Sequence, residues 1–83
     1  MFHAYLLRCA DGTFYAGSTN DLKKRLYEHN TSKAGARYTS GRRPVVLVYK
    51  QSFHTLAKAR AKEAALKRLT RAEKLAVIRG RVI

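Results

Sequence analysis

Apolar residues run almost unbroken from Phe2 to Cys9, and both parities of the stretch are hydrophobic. A strand that is apolar on both faces belongs in the middle of a sheet. Ala10-Asp11-Gly12 is a turn signal, and Thr13 to Gly17 reads as the returning strand. Two hairpin registers fit. A two-residue Asp-Gly turn pairs Arg8 with Tyr15 and puts Tyr5 and Tyr15 on opposite faces. A three-residue loop, with Gly12 left-handed in a bulge, pairs Leu7 with Tyr15 and puts both tyrosines on one face. The second register is the one expected.

The period then changes. Leu22 and Leu26 form the apolar stripe of a helix running to about His29, capped by Asn20 or Ser18, with Asp21 favourable in its first turn. Residues 30–43 read as an exposed basic loop. Val45 to Tyr49, after Pro44, is a third strand. Leu56 to Leu69 is an alanine-rich helix capped by Thr55, and Thr70-Arg71-Ala72-Glu73 is a capping box that opens a last helix. The order ββαβαα predicts an α+β domain (α/β in the broad sense): one small three-stranded antiparallel sheet flanked by helices, over 1–83.

Charge adds the next constraint. Lys and Arg number 18 against five Asp and Glu, a net charge of +13. The excess is uneven: residues 1–41 hold +3 and residues 42–83 hold +10. A domain this small and this basic repels itself unless a polyanion neutralises it, and nucleic acid is the polyanion it fits. A membrane surface fits less well, because no helix combines a basic face with bulky aromatic anchors. The single Cys9 cannot form an internal disulfide, and no leader pattern or membrane-length apolar run is present. A soluble cytoplasmic protein is the expectation.

Candidate chemistry gathers in one corner of this outline. Tyr5 and Tyr15 lie on adjacent strands, and Arg25 and His29 are one helical turn apart. Glu63 is one of two acidic residues after position 41. Each has an ordinary reading when taken singly. Strand tyrosines pack, helix arginines are solvated, a lone histidine caps or sits at the surface, and Glu63 pairs with Lys67 for only ~0.3–0.5 kcal/mol. Together they supply phenols, an imidazole, a phosphate-binding guanidinium and a carboxylate. Lys33, Arg37, Arg42 and Arg43 read as contacts to a nucleic-acid backbone, with surface solubility as the plain alternative. His3 and His54 lack metal-ligand companions and read as structural, Cys9 as a buried thiol, and Tyr49 as core.

These residues, in this order, resemble the GIY-YIG nuclease superfamily. His3-Ala4-Tyr5 stands where that family has its first tripeptide and Tyr15-Ala16-Gly17 where it has the second. Asn20 to Leu26 looks like its first helix with the arginine, and Glu63 falls where the family keeps a metal-binding glutamate. The likeness is greatest to small stand-alone members, which share a Leu-Leu-Arg-Cys-Ala-Asp-Gly run, a Glu-His-Asn after the arginine, and Gly-Arg-Arg-Pro before the third strand. Two positions depart: the first tripeptide keeps only its tyrosine, and the late asparagine of many catalytic members has no counterpart after Asn30.

The resemblance implies a metal-dependent endonuclease of low sequence specificity acting on DNA phosphodiesters, with a place in DNA repair or recombination. It implies Tyr15 as general base, Tyr5 positioning water or phosphate, Arg25 as phosphate clamp, His29 receiving the phenolic proton, and Glu63 holding one Mg²⁺ (or Mn²⁺). A free phenol with a pKa of ~10 is a poor base at neutral pH, so Tyr15 needs nearby positive charge or a relay. The missing asparagine is compatible with weak activity or with a recruiting protein partner. DNA is favoured over RNA, and a monomer or weak dimer is expected. The competing reading is a non-catalytic nucleic-acid-binding module on the same scaffold, associated with RNA or the ribosome.

Overall fold

A computed structural model describes residues 1–31, Thr39 and 41–80. The elements are β1 (Phe2–Arg8), β2 (Phe14–Thr19), α1 (Leu22–Thr31), β3 (Val46–Phe53), α2 (Leu56–Arg68) and α3 (Arg71–Ile78). The expected ββαβαα order is the observed one. The sheet is antiparallel throughout, in the order β2-β1-β3, so the doubly apolar β1 takes the central position.

The hairpin adopts the expected three-residue loop. Cys9 N–H donates to Thr13 O at 2.8 Å, Gly12 N–H donates to Cys9 O at 2.9 Å, and Gly12 has φ +85°. A residue with a Cβ adopts that φ only at a cost, which is why glycine stands there. Asp11 Oδ1 accepts from Thr13 N–H and Oγ1–H, which stiffens the turn. Leu7 pairs with Tyr15 and Tyr5 with Gly17, so the two tyrosines share a face.

Each face of the sheet has its own core. Ala4, Leu6 and Ala16 pack with Leu66 of α2 and Val77 of α3. Tyr5, Leu7, Cys9 and Val45 pack on the other side, with Tyr15, Leu22 and Leu26 against them. Hence α1 covers the tyrosine face, while α2 and α3 cover the opposite one.

Several boundaries differ from expectation. Asp21, not Asn20 or Ser18, caps α1, since its Oδ1 accepts from Lys24 N–H at 3.1 Å. Thr19 Oγ1 accepts from Asp21 N–H and holds the cap in place. α1 extends to Thr31, and β3 begins one residue later and runs four residues further than expected, to Phe53. The polar end of β3 is strand because β1 pairs with it as far as Phe2–Phe53. The caps of the last two helices are as expected: Thr55 accepts from Lys58 N–H, and Thr70 and Glu73 form the reciprocal box. Residues 30–43 are not uniformly exposed, because Thr39 is wholly buried. No described helix is long and apolar enough to cross a membrane.

Candidate active site

The β2 edge of the sheet is flanked by α1 on one face and α2 on the other, and the candidate residues converge there from both sides. Tyr5 lies across Gly17, its partner on β2. A Cβ on Gly17 would collide with the Tyr5 hydroxyl and come within 2.6 Å of its Cζ. The glycine of the second tripeptide is therefore the seat of the first tyrosine. Register alone signals this, because pairing Leu7 with Tyr15 requires Tyr5 to face Gly17.

The Tyr5 hydroxyl and His29 Nε2 are 3.0 Å apart, and His29 Nδ1 is 2.8 Å from Thr39 Oγ1. Tyr5, His29 and Thr39 are all buried. Burial, reinforced by the Arg25 charge, pushes the imidazole pKa down to about 4. A neutral imidazole has one donor and one acceptor nitrogen. The Arg25 guanidinium also hydrogen-bonds the Tyr5 oxygen. The neutral ring therefore donates to one of the two hydroxyls, Tyr5 or Thr39, and accepts from the other. Burial outweighs the bond from Arg25 and pushes the Tyr5 phenol up to about 12.

Tyr15 meets His29 differently. The rings pack edge-to-face with centroids 5.1 Å apart, and Tyr15 is only half-buried. Both nitrogens of His29 are already committed, to Tyr5 and Thr39. Arg25 is tied on its other side to Glu28, 3.1 Å from Nη1 to Oε1. These bonds outweigh the burial that works against its charge.

Glu63 approaches from the opposite face. Ser18, which alternates with Gly17 and so points toward α2, donates to Glu63 Oε1 at 2.7 Å. Lys67 Nζ lies 2.9 Å from Oε2. Burial would raise this carboxyl, but the bonds from Lys67 and Ser18 prevail and hold it below the usual carboxylate range. The two sides of the edge sense one another: Glu63 adds to the upward shift of Tyr5, and Tyr15 favours the charged form of Lys67.

Among the described residues, no group of three or more His, Cys, Asp or Glu could hold a metal. A single ionised carboxylate does not suit Zn²⁺, which takes three or four protein ligands. It does suit Mg²⁺, a hard ion that keeps several waters and takes one or two carboxylates. The Lys67 side chain on Oε2 is 56% exposed and can swing aside.

Of the predicted backbone-binding residues, Arg42 and Arg43 each have a partner within the fold. Arg42 Nε pairs with Asp11 Oδ2 at 3.0 Å, and Arg43 Nε donates to His29 O at 2.6 Å, satisfying the end of α1. Lys33 and Arg37 lie outside the described residues. His3 bonds Ser52, Cys9 is buried, and Tyr49 packs against the core. Thr39 and Ser18 are the partners that sequence reasoning missed. Thr39 is ten residues from His29 in a stretch without periodicity, so nothing local announces it.

Comparison with known proteins gives a consistent result. The family model of the GIY-YIG catalytic domain matches residues 1–76. A UPF0213 protein of Syntrophus aciditrophicus is 46% identical over 77 residues, 93% of this chain and 88% of the relative. The solution structure of a UPF0213 protein from Bacillus halodurans is 37% identical, with a TM-score of 0.58 over 94% of this chain and 83% of that one. A second solution structure, of an E. faecalis protein, is 41% identical, with a TM-score of 0.61 over 94% and 82%.

Proposed function

The chain belongs to the GIY-YIG family, and on that basis we propose that it is a cytoplasmic, Mg²⁺-dependent endonuclease that hydrolyses DNA phosphodiester bonds with little sequence preference. The observation that carries this reading is the division of labour between the two tyrosines. Tyr5 is buried, raised in pKa, and bonded to Arg25 and His29, whereas Tyr15 sits beside them half-exposed.

Tyr15 is the phenol that a water or phosphate can reach; it orients the attacking water, and in its phenolate form it takes the water's proton and becomes the phenol again. The Tyr5–His29–Thr39 chain stays buried and holds Arg25 from behind, so the guanidinium meets the phosphate in a set position. His29 stays neutral at physiological pH and adds no positive charge that would repel Arg25. It acts as a positioning residue, and the direct proton path from Tyr15 to His29 gives way to this support role. Glu63, oriented by Ser18, would hold the metal ion. Bound there, Mg²⁺ supplies positive charge to the phosphate oxygens and the departing alkoxide.

The test is nicking of supercoiled, branched and linear DNA, with RNA alongside, in Mg²⁺ or in chelator. Tyr15→Phe, Arg25→Ala and Glu63→Gln should each reduce the rate by about 100-fold or more while circular dichroism stays unchanged. Equal cleavage by the variants would assign the activity to a contaminant. Salt-sensitive binding without turnover would instead favour the binding-module reading, which the engagement of both Glu63 oxygens supports.

A further inference from the structure

At the end of the sheet beyond Tyr15, the chain carries a feature that the hydrolytic site does not use. A cleft of about 410 Å³ is lined by Arg8, Ala10, Pro44, Val46 and Arg71, among others. Arg8 closes β1 and stands between Phe14 on β2 and Val46 on β3 in one cross-strand row. This row lies on the α2–α3 face of the sheet, and no helix covers it completely: Arg8 is exposed and Val46 is 51% exposed. Among the described residues, the Arg8 guanidinium makes no ion pair or hydrogen bond.

Arg71 reaches the same row from α3. Its Nη1 donates to Gly12 O at 2.7 Å, and its guanidinium carbon sits 5.1 Å from the Phe14 ring centroid. Arg71 is the first residue of α3, where the helix dipole disfavours a cation. Helix formation therefore does not account for it. The nearby carboxylate, Asp11, is already paired with Arg42, so the charge presented by the cleft is positive. Two planar, permanently charged forks beside an apolar floor match a phosphate with a sugar or base next to it.

The cleft also stands in line with the catalytic edge. Phe14, Ala16 and Ser18 alternate onto one face of β2, so the row lies about 13 Å along the strand from the residue that binds Glu63, at roughly 3.3 Å per residue. We infer that this cleft is a second contact for the nucleic-acid strand, in which Arg8 and Arg71 grip a backbone phosphate several nucleotides from the bond being cut while Pro44 and Val46 take the adjoining sugar or base. The inference rests on the reading of the chain as acting on nucleic acid.

It is tested without catalysis, by fluorescence anisotropy of a labelled single-stranded DNA oligonucleotide in chelator across a salt series. Arg8→Gln and Arg71→Gln should each weaken binding about fivefold or more and flatten the log–log salt slope by roughly 0.7. Lys58→Gln, which removes the same charge from an exposed position at the start of α2, should change affinity less than about twofold. Arg8 has no partner to lose among the described residues, so its variant remains informative even if Arg71→Gln disturbs the hairpin. Losses equal to that of Lys58→Gln would overturn the cleft while leaving the nucleic-acid reading intact. No binding by the unaltered protein would overturn both. Inorganic phosphate at matched ionic strength that displaces the oligonucleotide from the unaltered protein but not from Arg8→Gln would reassign the cleft to a small anion.

Discussion

Tyr5 and Tyr15 carry the same phenol, yet one is buried against Arg25 and His29 and the other is half-exposed and packs edge-to-face on the same imidazole. His29 is where the difference becomes measurable. Its folded pKa is about 4 against an ordinary 6.5, so between those values the unfolded chain binds more protons than the folded one. Stability is therefore greatest above pH ~6.5 and falls as the pH drops toward 4, by roughly 1–3 kcal/mol from this group. Urea unfolding from pH 7.5 to 4 should show that loss in the native protein and much less of it in His29→Gln. An NMR titration placing the His29 midpoint near 6.5 would refute the buried neutral imidazole.

Among the elements, the junction of α1 with β3 has the least obvious support. Asn30 accepts from Val45 N–H at 2.7 Å and donates to Val45 O at 3.1 Å, so one side chain imitates a paired strand at the mouth of β3. It adjoins His29, whose carbonyl Arg43 binds. Asn30→Ala should cost about 2 kcal/mol, since two part-buried backbone groups lose their partner. The exposed Asn20→Ala should shift the unfolding midpoint hardly at all, and equal shifts would remove the clamp from the account. The helices and strands themselves were legible in sequence because period, turn residues and capping boxes are local signals. The end of β3 was not, because Lys50, Gln51 and Ser52 are strand only by virtue of the β1 backbone beside them. The cap of α1 differs from the expected Asn20 or Ser18 for a similar reason. Either side chain suits a cap, and only the folded chain shows Ser18 taken by Glu63 and Lys24 N–H bonded to Asp21.

For the molecule as a whole, a net charge of +13 on 83 residues is left after all five acidic residues are counted, so no internal pairing can remove it. Raising ionic strength from about 20 mM to about 300 mM should therefore raise the thermal midpoint by a few degrees through screening of self-repulsion. A flat or falling midpoint would show that the repulsion is relieved within the fold. The sheet order, the doubly apolar centre, the left-handed Gly12 and the shared face of the tyrosines all follow from residue order, because alternation and turn chemistry act over a few residues. The same order listed Tyr5, Tyr15, Arg25, His29 and Glu63 as candidates, and it could not rank them. Burial and hydrogen bonding did that, since both depend on groups far apart in the chain. They seated Tyr5 on Gly17, closed His29 between Tyr5 and Thr39, tied Arg42 to Asp11 at the surface and Arg43 to the end of α1, and left Arg8 and Arg71 lining an open cleft.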